Sequence, residues 1–552
     1  MFEYFGGRTV RGLTSCSSKL AAVRVLVFHG YLLRGTGSNV YNANLAAALL
    51  ALGHEVHLVC QERHAREFDF VGAVGDWDAG ELAVTRVREL SCTVYRPDIG
   101  GLLPVYVADR YEALEARPFP ELTDIQLERY LRANVCAVAE VVSRSNVDVA
   151  LANHLVLGPA ILARALSGTD IPYAIKVHGS ALEYTVKPHP RFLPYAREGI
   201  ASAKTVLVGS RHVAESLWAA LEVPSLPART RLGTPGVDVS RFRPRERAGA
   251  LAAVRALAER IADEAQRLET ERPSSARAAP ESAFGRDYAA AAAALAEVAV
   301  SAQSGPLIAF VGKLIVSKGI DLLLASWPLV LDRVPSARLV VIGFGAYRAA
   351  VERWIDALSS GELHTLRALA AMGRAAEGGP RSSLGLVLSF LERLEATGQR
   401  ERYLTAARLM RERVILTGRV EHDELADILP LCEAIVVPST FPESFGMVAV
   451  EAAACGALPI SAAHSGLAEV SRTLAQGLPE PVRELASFPV GPDVVESIAT
   501  RLTGWLHASL KLRNAARAAL VQTVAERYSW AGVARTVIAA GRGELEVLDP
   551  PT

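Results

Sequence analysis

The sequence predicts an α/β protein made of two doubly wound parallel-sheet domains. Three observations carry this expectation. Short apolar runs alternate with helix-period runs, as βαβ units require. The alternation starts twice, near residue 23 and again near residue 307. The chain also has 552 residues, more than one ordinary core accommodates.

In the first half, VRVLVFHG (23–30) reads as a strand. The run NVYNANLAAALLALG reads as a helix stopped by Gly53, and EVHLVC as the next strand. VDVALAN (147–153), YAIKVHG (173–179) and TVLVGS (205–210) supply further strands. GTPGVDVSRFRPRER is a linker punctuated by Pro and Gly. In the second half the strands are LIAFVGK (307–313), ARLVVIG (337–343), RVILTG (413–418), AIVVPS (434–439) and ALPIS (457–461). IDLLLASWPLVLDRV is the helix after the first of them.

Two stretches interrupt the plan. Residues 246–304 are rich in Ala, Arg and Glu, with Leu251, Val254, Leu257, Ile261 and Leu268 at helical spacing. PSSARAAPESAFG within them reads as a flexible joint. Residues 355–410 read as a second helical insertion. Both suit lids, partner surfaces or decoration better than catalytic parts. The expected boundaries are a flexible leader 1–21, a first domain 22–235, linker and insertion 236–304, a second domain 305–525, and a terminal helix and tail 526–552.

Composition excludes some classes. Lys+Arg and Asp+Glu balance at 59 each, so net charge gives no support for a nucleic-acid binder. The six cysteines (Cys16, Cys60, Cys92, Cys136, Cys432, Cys455) form no CxxC pair. Neither a zinc site nor a disulfide framework is suggested, and a reducing cytosol fits best. No apolar run reaches the roughly 18 residues that span a bilayer. MFEYFGGRTVRGLTSCSSKL lacks the continuous apolar core of a signal peptide. The expectation is a cytoplasmic protein, with peripheral membrane contact and oligomeric state left open.

The most informative stretch is FPESFGMVAVEAAACG, residues 441–456. AIVVPST is a strand, FPES a turn, and Gly446 to Cys455 a helix ended by Gly456. That helix begins at the carboxyl edge of a parallel sheet, where open α/β folds bind ligands. Its free N–H groups suit a phosphate, and Gly446 lets one approach the backbone closely. Glu451, further along, could accept hydrogen bonds from a ribose. Glu443, on the turn, could reach a group beyond the phosphates. Glutamates eight apart on a helix are usually just solvated, so the spacing alone decides nothing.

The longer string PSTFPESFGMVAVEAAACGALPISAAHSGLAEV resembles the retaining GT-B glycosyltransferases of the large family four. The residues that carry the resemblance are Pro438-Ser439, Glu443, Phe445-Gly446, Glu451, Gly456 through Pro459, Gly466 and Glu469. GVDVSRFRP is similar to the family's interdomain segment. FVGKLIVSKGIDLLL resembles an element whose two basic residues neutralise the donor diphosphate. They correspond to Lys313 and Lys318. Lys313 replaces the usual arginine, keeping the charge and losing the planar fork. ILTGRVEHDEL resembles the loop whose backbone holds the nucleobase, near Arg419 and Val420. LRGTGSNVYNANLAAALLALGHEVHLV resembles the family's glycine loop, with Gly35 and Gly37 at its close-approach positions. The strict GxGxxG fingerprint is absent, which argues against an NAD enzyme. The resemblance places His178 of KVHGS beside the donor sugar. ALEYTVKPHPRFLPY reads as an acceptor-side loop, with Lys187 and Arg191 facing an anionic acceptor or solvent. RYSWAGVARTVIAA looks like the family's C-terminal helix, which packs back across the interface. Asp76 and Asp78 of GDWDAG mimic the Asp-x-Asp metal site of GT-A enzymes, but read as turn residues in a Gly-rich loop.

The resemblance implies a GT-B fold whose two domains face a cleft. It implies retaining, metal-independent transfer from a nucleoside diphosphate sugar, with no cofactor beyond that donor substrate. The acceptor would be a sugar, glycolipid or polysaccharide. His178, Glu443 and Lys318 would be catalytic. Lys313, Gly35, Gly37, Arg419, Val420, Phe445, Gly446, Met447, Val448 and Glu451 would complete the donor site. The rivals are a sugar-phosphate or disaccharide synthase of the same fold, a GT-B phosphorylase, and an inactive sugar-nucleotide-binding partner protein.

Overall fold

A computed structural model describes residues 22–78, 80–106, 114–270 and 285–551. The expected leader, and all but the last residue of the joint at 273–285, lie outside the described residues.

The first half contributes β1 (Arg24–Phe28), β2 (Glu55–Val59), β3 (Ala73–Asp78), β4 (Glu81–Arg86), β5 (Cys92–Arg96), β6 (Leu102–Val105), β7 (Glu115–Pro118), β8 (Val149–Asn153), β9 (Tyr173–Lys176), β10 (Thr205–Val208) and β11 (Thr230–Leu232). Nine of these form one sheet in the order β11-β10-β9-β8-β1-β2-β5-β3-β4. It is parallel except for the β3–β4 hairpin. β6 and β7 pair separately, also parallel.

The second half contributes β12 (Leu307–Val311), β13 (Arg338–Ile342), β14 (Val414–Gly418), β15 (Cys432–Val437), β16 (Leu458–Ala462) and β17 (Ser487–Phe488). They form a parallel sheet in the order β14-β13-β12-β15-β16-β17. In each sheet the strand order turns around at the first strand, β1 or β12. Loops on either side of such a strand diverge and open a crevice at the carboxyl edge. The architecture is GT-B, two doubly wound domains facing a cleft.

Two sequence expectations are corrected. Asp76 and Asp78 are not loop residues: both belong to β3, and Asp76 pairs with Arg96 at 2.8 Å. This hairpin closes the sheet edge, and β4 buries only one of its six residues. An edge that solvated carries no apolar run to read. The segment after His178 is not a loop either. It coils at Leu182–Val186, turns at Pro190–Phe192 and continues as the helix Leu193–Ala201. Burial of Leu182, Val186 and Phe192 anchors it. Lys187 is tied to Glu183 at 2.7 Å, and Arg191 donates to the Leu122 carbonyl.

Both insertions are fused to the second domain's core. Helices Arg247–Thr270 and Tyr288–Ser301 pack on each other, and the second covers the edge strand β14. Val254, Leu257, Ile261, Leu295 and Val298 are buried there. The later insertion contributes helices Leu363–Met372, Gly385–Ala396 and Arg400–Ala407. It is pinned by the Tyr403 hydroxyl, which donates to the Ala325 carbonyl at 2.8 Å.

The chain crosses between domains at two adjacent places. The Val237 N–H donates to the Tyr528 carbonyl at 2.7 Å, where the outgoing and returning strands meet. Helix Leu510–Arg527 packs on the second domain. Helix Trp530–Arg542 packs on the first, against helix Gly37–Ala51 and β8, β9 and β10, burying Val533, Ala534 and Val537. Among the described residues no helix is long and apolar enough to cross a membrane.

Candidate active site

The carboxyl edges of the two sheets enclose a cavity of about 540 Å³. Two helix N-termini meet across it. Helix Gly37–Ala51 begins in the first domain and Met447–Ala454 in the second, and a Cβ on Gly37 would lie 3.8 Å from Met447 Sδ. Their unpaired N–H groups and dipoles make this the natural place for an anion. Gly446 caps the second helix at φ +113°, a conformation open to glycine at no steric cost. A Cβ there would also stand 2.5 Å from Leu467 Cδ2. Gly446→Ala is therefore expected to destabilise the protein by about 1–3 kcal/mol, measured by denaturant unfolding.

Lys318 reaches the same spot from the loop after β12. Gly319, at φ +69°, makes this possible: a Cβ would run into the Pro438 carbonyl. The Lys318 ammonium pairs with Glu443 Oε1. Ser439 Oγ donates to the same oxygen at 2.7 Å, and the Glu443 N–H donates to Ser465 Oγ at 2.9 Å. Burial alone would raise the Glu443 pKa, but Lys318 outweighs it and holds the carboxyl below its ordinary value. Lys313 lines the cavity as well.

Glu451 is 3% exposed. Its Oε1 accepts from His422 Nε2 at 2.7 Å. Burial opposes charge on His422, but Glu451 and Asp423 prevail and push its pKa up to about 10. The imidazolium and carboxylate form a fixed pair that lines the same cavity as His178. Asp423 also takes Arg241 at 2.6 Å, which ties the interdomain segment to this loop.

Val420 lines the cavity, and the Arg419 guanidinium comes within 3.9 Å of where a Cβ on Gly35 would stand. It pairs with Glu421 at 2.8 Å and lies over the Phe344 ring, while the Arg419 carbonyl accepts from Arg286 Nε at 3.0 Å. Met447 and Val448 line the cavity beside Gly446. Phe445 does too, although its ring is buried against Tyr528.

On the first domain's side, Gly35, Gly37 and His178 all line the cavity. His178 Nε2 lies 2.8 Å from Asn153 Oδ1. Asn153 donates its amide to Asn42 Oδ1 at 2.7 Å and to the Phe28 carbonyl at 3.2 Å. Its oxygen must therefore accept, so His178 donates through Nε2 and keeps a lone pair on Nδ1. Burial, then the neighbouring His154 and Lys176, push the His178 pKa well below its ordinary value and keep the ring neutral. Across the interface, Ser444 Oγ donates to the His178 carbonyl at 2.7 Å.

Sequence reasoning missed two residues here. His422 stands two positions after Val420, and only its pairing with Glu451 marks it. His154 follows β8 as His178 follows β9. It is 2% exposed, sits at φ +68°, and neither ring nitrogen has a hydrogen-bond partner among the described residues. A strained, unsatisfied imidazole lining a cavity is a candidate ligand contact. The signal available was the polar pair Asn153-His154 closing the apolar run VALA.

Two family models match. Residues 395–488 match glycosyl transferases group 1, and residues 36–230 match the glycosyl transferase 4-like domain. The phosphatidylinositol N-acetylglucosaminyltransferase gpi3 subunit of Schizosaccharomyces pombe is 26% identical over 227 residues, 41% of this chain and 36% of that protein. An uncharacterized glycosyltransferase of Methanocaldococcus jannaschii is 24% identical over 243 residues, 44% of this chain and 46% of that one. Each match thus spans less than half of the relative. Among solved structures, sucrose-phosphate synthase from Thermosynechococcus elongatus aligns with a TM-score of 0.51 at 16% identity, over 95% of this chain and 99% of the other. Anabaena HepE in complex with UDP and glucose aligns with a TM-score of 0.52 at 13% identity, over 95% and 100%.

Proposed function

Since this chain is a group 1 glycosyltransferase of GT-B fold, we propose that it transfers a sugar from a nucleoside diphosphate sugar to an acceptor hydroxyl with retention. One observation carries the reading: two helix N-termini, Lys318, Glu451 and His178 all line one cavity. That arrangement fits ribose, diphosphate and sugar in line. Glu451, paired with His422, accepts from the ribose hydroxyls. The N–H groups after Gly446, with Lys318 and Lys313, hold the diphosphate. Glu443 orients the sugar hydroxyls, and His178 faces the reacting carbon.

The bond from the anomeric carbon to the phosphate oxygen breaks, and a bond to the acceptor oxygen forms on the same face. The acceptor proton passes to the departing phosphate. Charge grows on that phosphate as it leaves, and the fixed cation and N–H groups stabilise it there more than in the ground state. The chain's own groups supply this stabilisation without a metal. The acceptor is a hydroxyl of a sugar, glycolipid or polysaccharide.

His154→Ala should remove a ligand contact without breaking any internal hydrogen bond. It is expected to lower kcat about 10- to 100-fold at nearly unchanged donor affinity. Wild-type kcat in this variant would remove His154 from the site. The reading as a whole is tested by thermal shift against UDP, GDP and ADP, with UDP first because HepE holds it. A ligand at 100 times its Kd adds about 2.7 kcal/mol of stability. A shift with one nucleotide supports the donor site, and no shift with any at millimolar concentration overturns it.

A further inference from the structure

The second insertion plays no part in the site above, yet it builds a wall beside it. A second chamber of about 650 Å³ lies between the loop 313–322 and residues 374–387. It opens from the first cavity past Lys313, Ile315, Tyr106 and Tyr184, which line both. The wall is anchored: Glu377 Oε2 accepts from the Val316 N–H at 2.7 Å, and the Leu384 N–H donates to the Ala370 carbonyl at 2.8 Å. A donor running from Glu451 to Glu443 leaves this chamber clear, and Phe441 of its lining stands two residues before Glu443.

The lining has a definite chemistry. Tyr184 of the first domain stacks on Phe441 of the second, 5.4 Å between centroids and 14° from parallel. Tyr184 is 39% exposed, so this flat wall is open to a ligand. Asp321 lines the chamber at 3% exposure, and its Oδ1 has no hydrogen-bond partner among the described residues. Burial pushes its pKa up to about 7, so near neutrality it can give or take a proton in a hydrogen bond. Arg374 is already paired with Glu377 at 3.1 Å. Ser317, Ser383 and Thr440 add neutral polar groups. Aromatic faces, hydroxyls and a lone carboxyl suit the C–H face and hydroxyls of an uncharged sugar. The volume falls in the range of about 300–1,000 Å³ that holds a drug-sized ligand, so a disaccharide-sized end fits.

We propose that this chamber is the acceptor subsite, and that it takes the end of a neutral oligosaccharide, with a ring on the Tyr184–Phe441 wall and a hydroxyl on Asp321. The assignment rests on the glycosyltransferase reading and narrows its acceptor to uncharged glycans.

Calorimetry on the full chain saturated with UDP tests it. The probes are neutral trisaccharides of glucose, galactose, mannose or N-acetylglucosamine. At least one should bind. Ser383→Trp fills the chamber from an exposed wall position, where it does not threaten folding. It should weaken that binding about tenfold or more and leave UDP affinity within about twofold. Leu386→Trp, on the same wall, should act in the same direction. Absence of binding by any neutral trisaccharide overturns the proposal, as does unchanged affinity in both variants. If no nucleotide binds, the titrations are run without UDP. Trisaccharide binding that Ser383→Trp abolishes would then support the chamber while the donor reading falls.

Discussion

Lys318→Ala is expected to lower kcat/KM by about 10²–10³, the usual cost of removing one donor that stabilises developing negative charge. The loss should fall mainly on kcat, because the leaving phosphate carries more charge in the transition state than in the bound donor. Lys318→Arg should recover part of it, since the charge returns with a different reach. The same variant has a signature at acid pH. Glu443 is held below its ordinary pKa chiefly by Lys318, against the opposing effect of burial. A depressed carboxyl contributes stability above its unfolded pKa and loses it as pH falls through the folded value. Without Lys318, burial dominates and Glu443 takes up its proton at higher pH. Thermal unfolding followed from pH 7 down to about pH 4 should show the variant least stable relative to the wild type at pH 7, with the gap closing as pH falls, because protonation relieves the unpaired buried carboxyl. Equal kcat/KM and coincident pH profiles would remove Lys318 from the site.

Glu451→Ala is expected to weaken nucleotide binding about 10- to 100-fold, as loss of a charged hydrogen-bond acceptor does. It should also destabilise the free protein by about 3 kcal/mol. That is the low end for breaking a buried pair, because imidazolium can shed its proton where a guanidinium cannot. The pH dependence has a definite sign. The His422 pKa is raised to about 10 in the folded protein. The pair's contribution is therefore complete below the unfolded histidine value of about 6.5 and fades as pH rises toward the folded one. Denaturant unfolding of wild type and variant at about pH 6 and about pH 9.5 should give a stability difference that shrinks at the higher pH. A difference constant with pH would mean that His422 is not held charged by Glu451.

Some of this site was legible in the residues. PSTFPESFG marks a strand, a turn and a helix start, because apolar periodicity and a glycine at the cap act over a few neighbours. The result is β15 followed by the helix Met447–Ala454. The β3–β4 hairpin was not legible, since β4 is mostly solvated and β3 carries a glycine and two aspartates where an apolar run would mark a strand. His154 and His422 were missed for another reason. A single polar residue at a strand end looks alike whether it faces solvent or a cavity, and only the opposing domain decides which.

The sequence by itself therefore determined the alternation of strands and helices, the two domains, and the helix start at Gly446. These follow from backbone sterics and local hydrophobic period. The tertiary structure alone decided the partnerships: Glu451 with His422 across 29 residues, and Ser444 with His178 across 266. It alone also set the wall that residues 374–387 place beside Lys313. Side-chain partners are chosen when whole elements pack, and no pattern along the chain encodes which distant surfaces will meet.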